Sequence, residues 1–378
     1  MRTLDDARSA CETYLPGLAA SLAGIPLETL EAPGSPAIGL FRSHGGPALV
    51  IPKAYSGLAA SPLDAVRVMR ALASYSPSLA VASAMHHFSV ATLFTLAESI
   101  KNSGMEWALL EGIASQGLLV ASGFAEGQPG RGILAPAMAG EPAEGGYRVN
   151  GAKKPCSLSR SMDLLTASVA LGLPDGGSQL AVLLIPAATE GVTVHPFWVS
   201  PVLAGAESDE IRLTDVFVHD QLIMRTEPGD AGQLDELQTV GFIWFEMLIS
   251  SAYLGMASGL VERVFARRRG GAGEVAAMAV RLETAALLLE GVARMLMDGE
   301  VDDGALARAL MARYGAQDAI TDAVRQAVEL LGGMAFIGSA DVAYLAAACH
   351  CLGFHPPSRS SAAQPLADFL GGHVLRIS

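Results

Sequence analysis

Apolar positions along the chain change their spacing twice. Before residue 117 they recur at helical intervals, as in Leu63, Val66, Met69 and Leu72. Ser61-Pro62-Leu63-Asp64 supplies a start for that segment, a hydroxyl cap followed by proline at the first helical position. A second helix starts at Pro77-Ser78 and runs through Met85, His86 and His87 toward Leu96, and another includes Trp107 to Ile113. At Gly117 the period shortens. The stretch GLLVASGFA reads as a strand, and residues 135–140 and 147–150 flank a turn rich in Glu, Pro and Gly, a hairpin signal. Residues 164–171, 180–185, 192–196 and 210–218 are further short strands between Gly, Pro and Asp turns. From Gln233 helical spacing returns over 234–268, 274–298, 303–332 and 341–352, punctuated by Asp298-Gly299-Glu300 and Gly332-Gly333. The pattern predicts an α+β chain in three regions: helical over 1–116, an antiparallel β sandwich or barrel over 117–228, and an antiparallel bundle of about four helices over 229–378.

Composition narrows the class. Among 378 residues, 51% are hydrophobic, 17% are charged and mean hydropathy is +0.37, which excludes a disordered chain. Twenty-five Lys and Arg against 38 Asp and Glu leave a net charge of −13, and no basic cluster offers a nucleic-acid or anionic-membrane surface. The run Arg267-Arg268-Arg269 reads as a helix C-terminus facing the negative end of its dipole. Four cysteines in a chain this long make no disulfide scaffold. The N-terminus lacks a signal-peptide apolar core, so a cytoplasmic setting is expected. Val240 to Leu260 is long enough to cross a bilayer, but Glu246, Ser250, Ser251 and Ser258 and the missing positive flank predict the central helix of a bundle instead.

Several side chains invite chemistry. Glu246 in an apolar helix needs a partner or a raised pKa. His86 and His87 read as structural histidines. Cys349-His350-Cys351 with His355 is not read as a zinc site, because consecutive helical residues diverge by ~100° and cannot close a tetrahedron.

Five segments resemble, in order, those of the acyl-CoA dehydrogenase superfamily: residues 46–58 (GPALVIPKAYSGL), 122–131 (SGFAEGQPGR), 150–157 (NGAKKPCS), 213–218 (LTDVFV) and 329–334 (ELLGGM). The resemblance implies a bound flavin, FAD or else FMN, enclosed by the β region and the bundle. By that resemblance Phe124 and Ala125 offer backbone N–H groups to the pyrimidine end of the ring, and Gly130 allows close approach with Arg131 beside it. Ser157 would donate near N5, and Gly332 and Gly333 belong to the cofactor-binding loop. A homodimer or homotetramer is implied too.

The resemblance weakens at the catalytic base. The glutamate expected after Gly332-Gly333 is replaced by Phe354-His355-Pro356-Pro357. The rarer base position, ten residues before Gly255, falls on Phe245, with Glu246 one step away. The leading expectation is α,β-dehydrogenation of an acyl thioester, on CoA or a carrier protein, with Glu246 as base. The alternative is the superfamily's flavin monooxygenase branch, hydroxylases of aromatics and amines, whose loop often carries His with an adjacent Pro. There His355 would exchange a proton near neutral pH. A third reading is a non-catalytic assembly partner with the same fold.

Overall fold

The computed structural model describes residues 1–98, 104–128, 136–172, 177–225 and 234–377. Helices come first: α1 (Arg2–Tyr14), α2 (Leu18–Ala23), α3 (Leu27–Glu31), α4 (Ala37–Ser43), α5 (Pro62–Tyr75), α6 (Pro77–Glu98) and α7 (Met105–Gln116). The start of α5 is the expected cap: the Ser61 hydroxyl accepts the Asp64 N–H at 3.1 Å, with Pro62 next in line. The four helices before it were not resolved individually by the sequence pattern. Three of them, α2, α3 and α4, have 6, 5 and 7 residues, too few for their apolar residues to repeat, whereas α1 does bury Leu4, Ala7 and Cys11 at helical spacing.

Strands follow: β1 (Val120–Gly123), β2 (Ala139–Ala143), β3 (Gly146–Cys156), β4 (Leu164–Gly172), β5 (Ser178–Pro186), β6 (Val192–His195), β7 (Asp209–His219) and β8 (Ile223–Arg225). They form one sheet in the order β6-β7-β3-β2-β4-β5-β8, with β1 beside β4. The hairpin is β2–β3, with Ala139 opposite Asn150. Two pairings are parallel, β1 with β4 and β2 with β4. The sheet is therefore mixed rather than wholly antiparallel. Alternation of apolar residues reports which face a side chain takes, not the direction of the neighbouring strand. Among the described residues β6 and β8 are not paired with each other, so the path does not close into a barrel.

The last region holds α8 (Glu236–Ala266), α9 (Ala272–Met297), α10 (Asp303–Leu331), α11 (Gly333–Gly338), α12 (Ala340–Cys349) and α13 (Arg359–Leu370). A reciprocal capping box of Asp235 and Gln238 opens α8. Helix α8 is buried on nearly every side and packs against α5, α6, α9, α10 and α12. Helices α6 and α8 are each long and apolar enough to cross a membrane, yet 94% of the apolar window of α8 is enclosed by other parts of the chain. Small residues make that enclosure possible. A Cβ on Gly255 would stand 2.3 Å from the Arg70 carbonyl oxygen and 2.6 Å from Ala73 Cβ, so α8 and α5 touch through this glycine.

Candidate active site

The site is a cavity of about 290 Å³ between the sheet and the helices. The end of β1 contributes Phe124 and Ala125, and the turn after β3 contributes Ser157. Met85 and Phe88 come from α6, Phe245 and Tyr253 from α8, and His355 from the turn that follows α12. Aromatic rings run across it in contact: Phe124 to Phe88 (6.0 Å between centroids), Phe88 to Phe245 (5.4 Å), and Phe245 to His355 (6.2 Å). Polar groups are few. Ser157 Oγ lies 3.0 Å from Ser208 Oγ, and the carboxylate of the following residue, Asp209, accepts N–H bonds from Phe197 and Trp198, holding the loop that brings Trp198 to the wall.

His355 reaches the cavity from the helical region, in the turn after α12. Its Nε2 is 2.9 Å from the Tyr253 hydroxyl. Burial pushes the Tyr253 pKa well above its ordinary value, so the phenol keeps its proton. That proton has no other acceptor among the described residues, so Tyr253 donates to Nε2 and the ring hydrogen is assigned to Nδ1. Desolvation, helped by the nearby Arg313 charge, lowers the His355 pKa to about 3. The imidazole is therefore neutral at pH 7, and the sequence-based expectation that it titrates near neutral pH gives way to burial, which disfavours the charged ring.

Glu246 is elsewhere. One residue on from Phe245, it is turned ~100° around α8, away from the cavity. It is fully buried, with Oε2 at 3.2 Å from Arg313 Nε. Burial raises its pKa to about 7 while Arg313 pulls the other way. Phe245, not the carboxylate, takes the cavity-facing position. The one carboxylate lining the cavity among the described residues is Asp235, which caps α8. The structure thus brings Phe124, Ala125, Ser157 and His355 to one cavity and leaves Glu246 behind its wall. Gly332 and Gly333 lie at the start of α11, outside the cavity lining. Gly130 and Arg131 lie outside the described residues.

His86 is structural: it accepts the Val120 N–H at Nδ1 and meets the Pro47 carbonyl with Nε2, each at 3.0 Å. His87 is sealed behind it. No group of three or more His, Cys, Asp or Glu side chains among the described residues is placed to hold a metal ion. Tyr253, Arg313 and Ser208 were not picked out from the sequence. Tyr253 sits in the apolar α8 and Arg313 in the amphipathic α10, neither within a motif, and Ser208 lies 51 residues from the serine it meets.

The fold and this aromatic cavity define a flavin-enzyme scaffold of the acyl-CoA dehydrogenase type. Residues 253–353 match the family model "Acyl-CoA dehydrogenase, C-terminal domain". Over 378 residues, all of both chains, the sequence is 50% identical to isobutylamine N-hydroxylase of Streptomyces viridifaciens. KijD3 in complex with FMN and dTDP-3-amino-2,3,6-trideoxy-4-keto-3-methyl-D-glucose superposes with a TM-score of 0.85 at 18% identity, over 96% of this chain and 94% of that one. Dibenzothiophene monooxygenase (TdsC) from Paenibacillus sp. A11-2 superposes with 0.78 at 17% identity, over 100% and 99%. Solved structures of this fold carry FMN or FAD. The chain belongs to the isobutylamine N-hydroxylase family within the acyl-CoA dehydrogenase superfamily of flavin-dependent enzymes.

Proposed function

We propose that the protein is a flavin-dependent monooxygenase that hydroxylates the nitrogen of a small aliphatic amine. The observation that carries this reading is the full-length 50% identity to an amine N-hydroxylase. The cavity supports it against thioester dehydrogenation: α-proton abstraction needs a carboxylate base at the substrate, and Glu246 faces Arg313 instead.

The residues suit a flavin. Phe88, Phe124 and Phe245 offer ring surfaces to a flat heteroaromatic, and Phe124, Ala125 and Ser157 would hold its polar edge. When bound and reduced, FAD or FMN supplies two electrons to O₂, so that amine, O₂, two electrons and two protons give hydroxylamine and water. The chain's own part is proton handling and exclusion of water. A primary amine reacts through its nitrogen lone pair and must shed its extra proton. Neutral His355, with Nε2 taken by the Tyr253 hydroxyl, offers a proton at Nδ1, for which the described residues supply no hydrogen-bond partner. The apolar walls favour the uncharged amine over the ammonium form. Exposed Met334 and Ile337 on α11 would be covered in a homodimer or homotetramer.

The test pairs two reactions. With reduced flavin, air and isobutylamine, the protein should form a hydroxylamine. Under anaerobic conditions, acyl thioesters should leave its oxidised flavin unbleached. Bleaching by a thioester, with no hydroxylamine from any amine tried, would restore the dehydrogenase reading.

A further inference from the structure

Among the described residues, Arg313 on α10 is the largest fully buried side chain, 1% exposed. Its terminal nitrogens meet backbone, not carboxylates. Nη1 donates to the Pro357 carbonyl at 2.8 Å, and Nη2 donates to the carbonyls of Leu352 at 3.0 Å and His355 at 2.6 Å. All three carbonyls belong to the turn that carries His355. The next residue, Tyr314, adds a hydroxyl bond to Pro357 at 2.9 Å. Behind the guanidinium lies Glu246, 3.2 Å from Nε, with neither carboxylate oxygen hydrogen-bonded.

A buried ion pair is a poor way to stabilise a core, because a hydrophobic pair of similar volume often does as well or better. What a hydrophobic pair cannot do is aim a rigid fork of donors at three carbonyls of a single turn. On the other side of that turn the Tyr253 hydroxyl meets the ring. The His355 side chain is thus gripped from α8, and its backbone from α10.

Resting on the reading of His355 as the proton-handling group, we infer that Glu246 and Arg313 form a positioning unit for it. Glu246 anchors the guanidinium, and Arg313 holds the 352–357 turn so that the imidazole stands at the cavity wall between Tyr253 and Phe245. Neither residue lines the cavity. The carboxylate that the sequence suggests as a base acts through another residue.

Arg313→Lys tests this, because it keeps the charge opposite Glu246 and gives up the fork. Hydroxylamine formed per reduced flavin consumed should fall at least ~10-fold while the amine KM stays within ~2-fold. The double variant with His355→Ala should be no worse than His355→Ala alone, since Arg313 acts only through that ring. Assayed above pH 7, where Glu246 is ionised, Glu246→Gln, the same shape without the charge, should fall between wild type and Arg313→Lys. Full coupling in it removes Glu246 from the unit. A second readout needs no activity. Nitrogen-15 spectra of the flavin-free protein, labelled in histidine, should show His355 as one tautomer, protonated at Nδ1, and Arg313→Lys should blur that signal. Losses that multiply in the double variant, or an unchanged His355 signal, overturn the inference. Should Arg313→Lys not fold, Tyr314→Phe removes only a hydroxyl from the same turn, and the same two readouts apply with a smaller loss. A wild type that makes no hydroxylamine but shows a single tautomer abolished by Arg313→Lys would sink the hydroxylase reading and leave the positioning unit standing.

Discussion

His355 has one nitrogen bound by a phenol and the other without a partner among the described residues, in a setting that keeps the ring neutral. Replacing it by alanine should lower hydroxylamine formation by ~10²–10⁴, the range for a positioned proton-transfer group. Reduced flavin should still be consumed, with hydrogen peroxide released in place of product, as a peroxide assay beside product analysis will show. Unchanged product yield would move the proton-handling role to another cavity group. For Ser157 the proposed role is toward the cofactor instead. Its hydroxyl is shared with Ser208 alone among the described side chains. Ser157→Val should weaken flavin affinity by about 1 kcal/mol, roughly fivefold, or shift the bound flavin spectrum. Flavin titration followed by fluorescence reads either effect, and identical affinity and spectrum would return Ser157 to an ordinary turn residue. At this scale the sequence was legible where a motif fixed the place, as at Ser157 and His355. It was not legible at Tyr253 or Arg313, whose partners lie 102 and 42 residues away.

Helix α8 is the element on which the site depends. It carries Phe245 and Tyr253 to the cavity and Glu246 behind it, so its rotation decides which side chain meets substrate. That rotation is set where α8 crosses α5. Gly255→Ala would place a methyl against the Arg70 carbonyl at 2.3 Å, and the helices would have to part. Overpacking of this kind costs about 1–3 kcal/mol or more, so a thermal melt should show a midpoint several degrees lower. No change in the midpoint would mean that the crossing is looser than drawn. Long elements with caps were readable: α5 from Ser61-Pro62, and α8 from its unbroken apolar run. Helix α13 was missed because Pro365 interrupts it. Strand β8 was missed because three residues show no period.

At the scale of the whole molecule, ionisable groups buried without charge tie stability to pH. His86, with its pKa lowered to about 4, His87, lowered well below the ordinary value, and His355, lowered to about 3, stay neutral in the native state. The unfolded chain protonates all three near pH 6.5. Their contribution is full above that pH and is lost as pH falls toward the native values. Glu246 runs the other way: raised to about 7, it contributes most below its unfolded pKa and loses that as pH rises to 7. Three protons against one leave a net loss on acidification, about 2–3 kcal/mol per pH unit between 6.5 and 4.5. Melting temperatures across that range should fall steeply, and Glu246→Gln should steepen them further. A flat profile would contradict the buried neutral histidines.

The order of helical region, sheet and bundle was legible because long stretches each keep one period. The choice between two chemistries on that scaffold was not, because it rests on one helical step between Phe245 and Glu246. The measurement that bears on it most directly supplies ¹⁸O₂ with reduced flavin and isobutylamine and follows the product by mass spectrometry. The hydroxylamine should be two mass units heavier than that formed in ordinary oxygen, with one atom from O₂ on the amine nitrogen. A product without label, or consumption of reduced flavin with peroxide as the sole oxygen product across a panel of small amines, would contradict it.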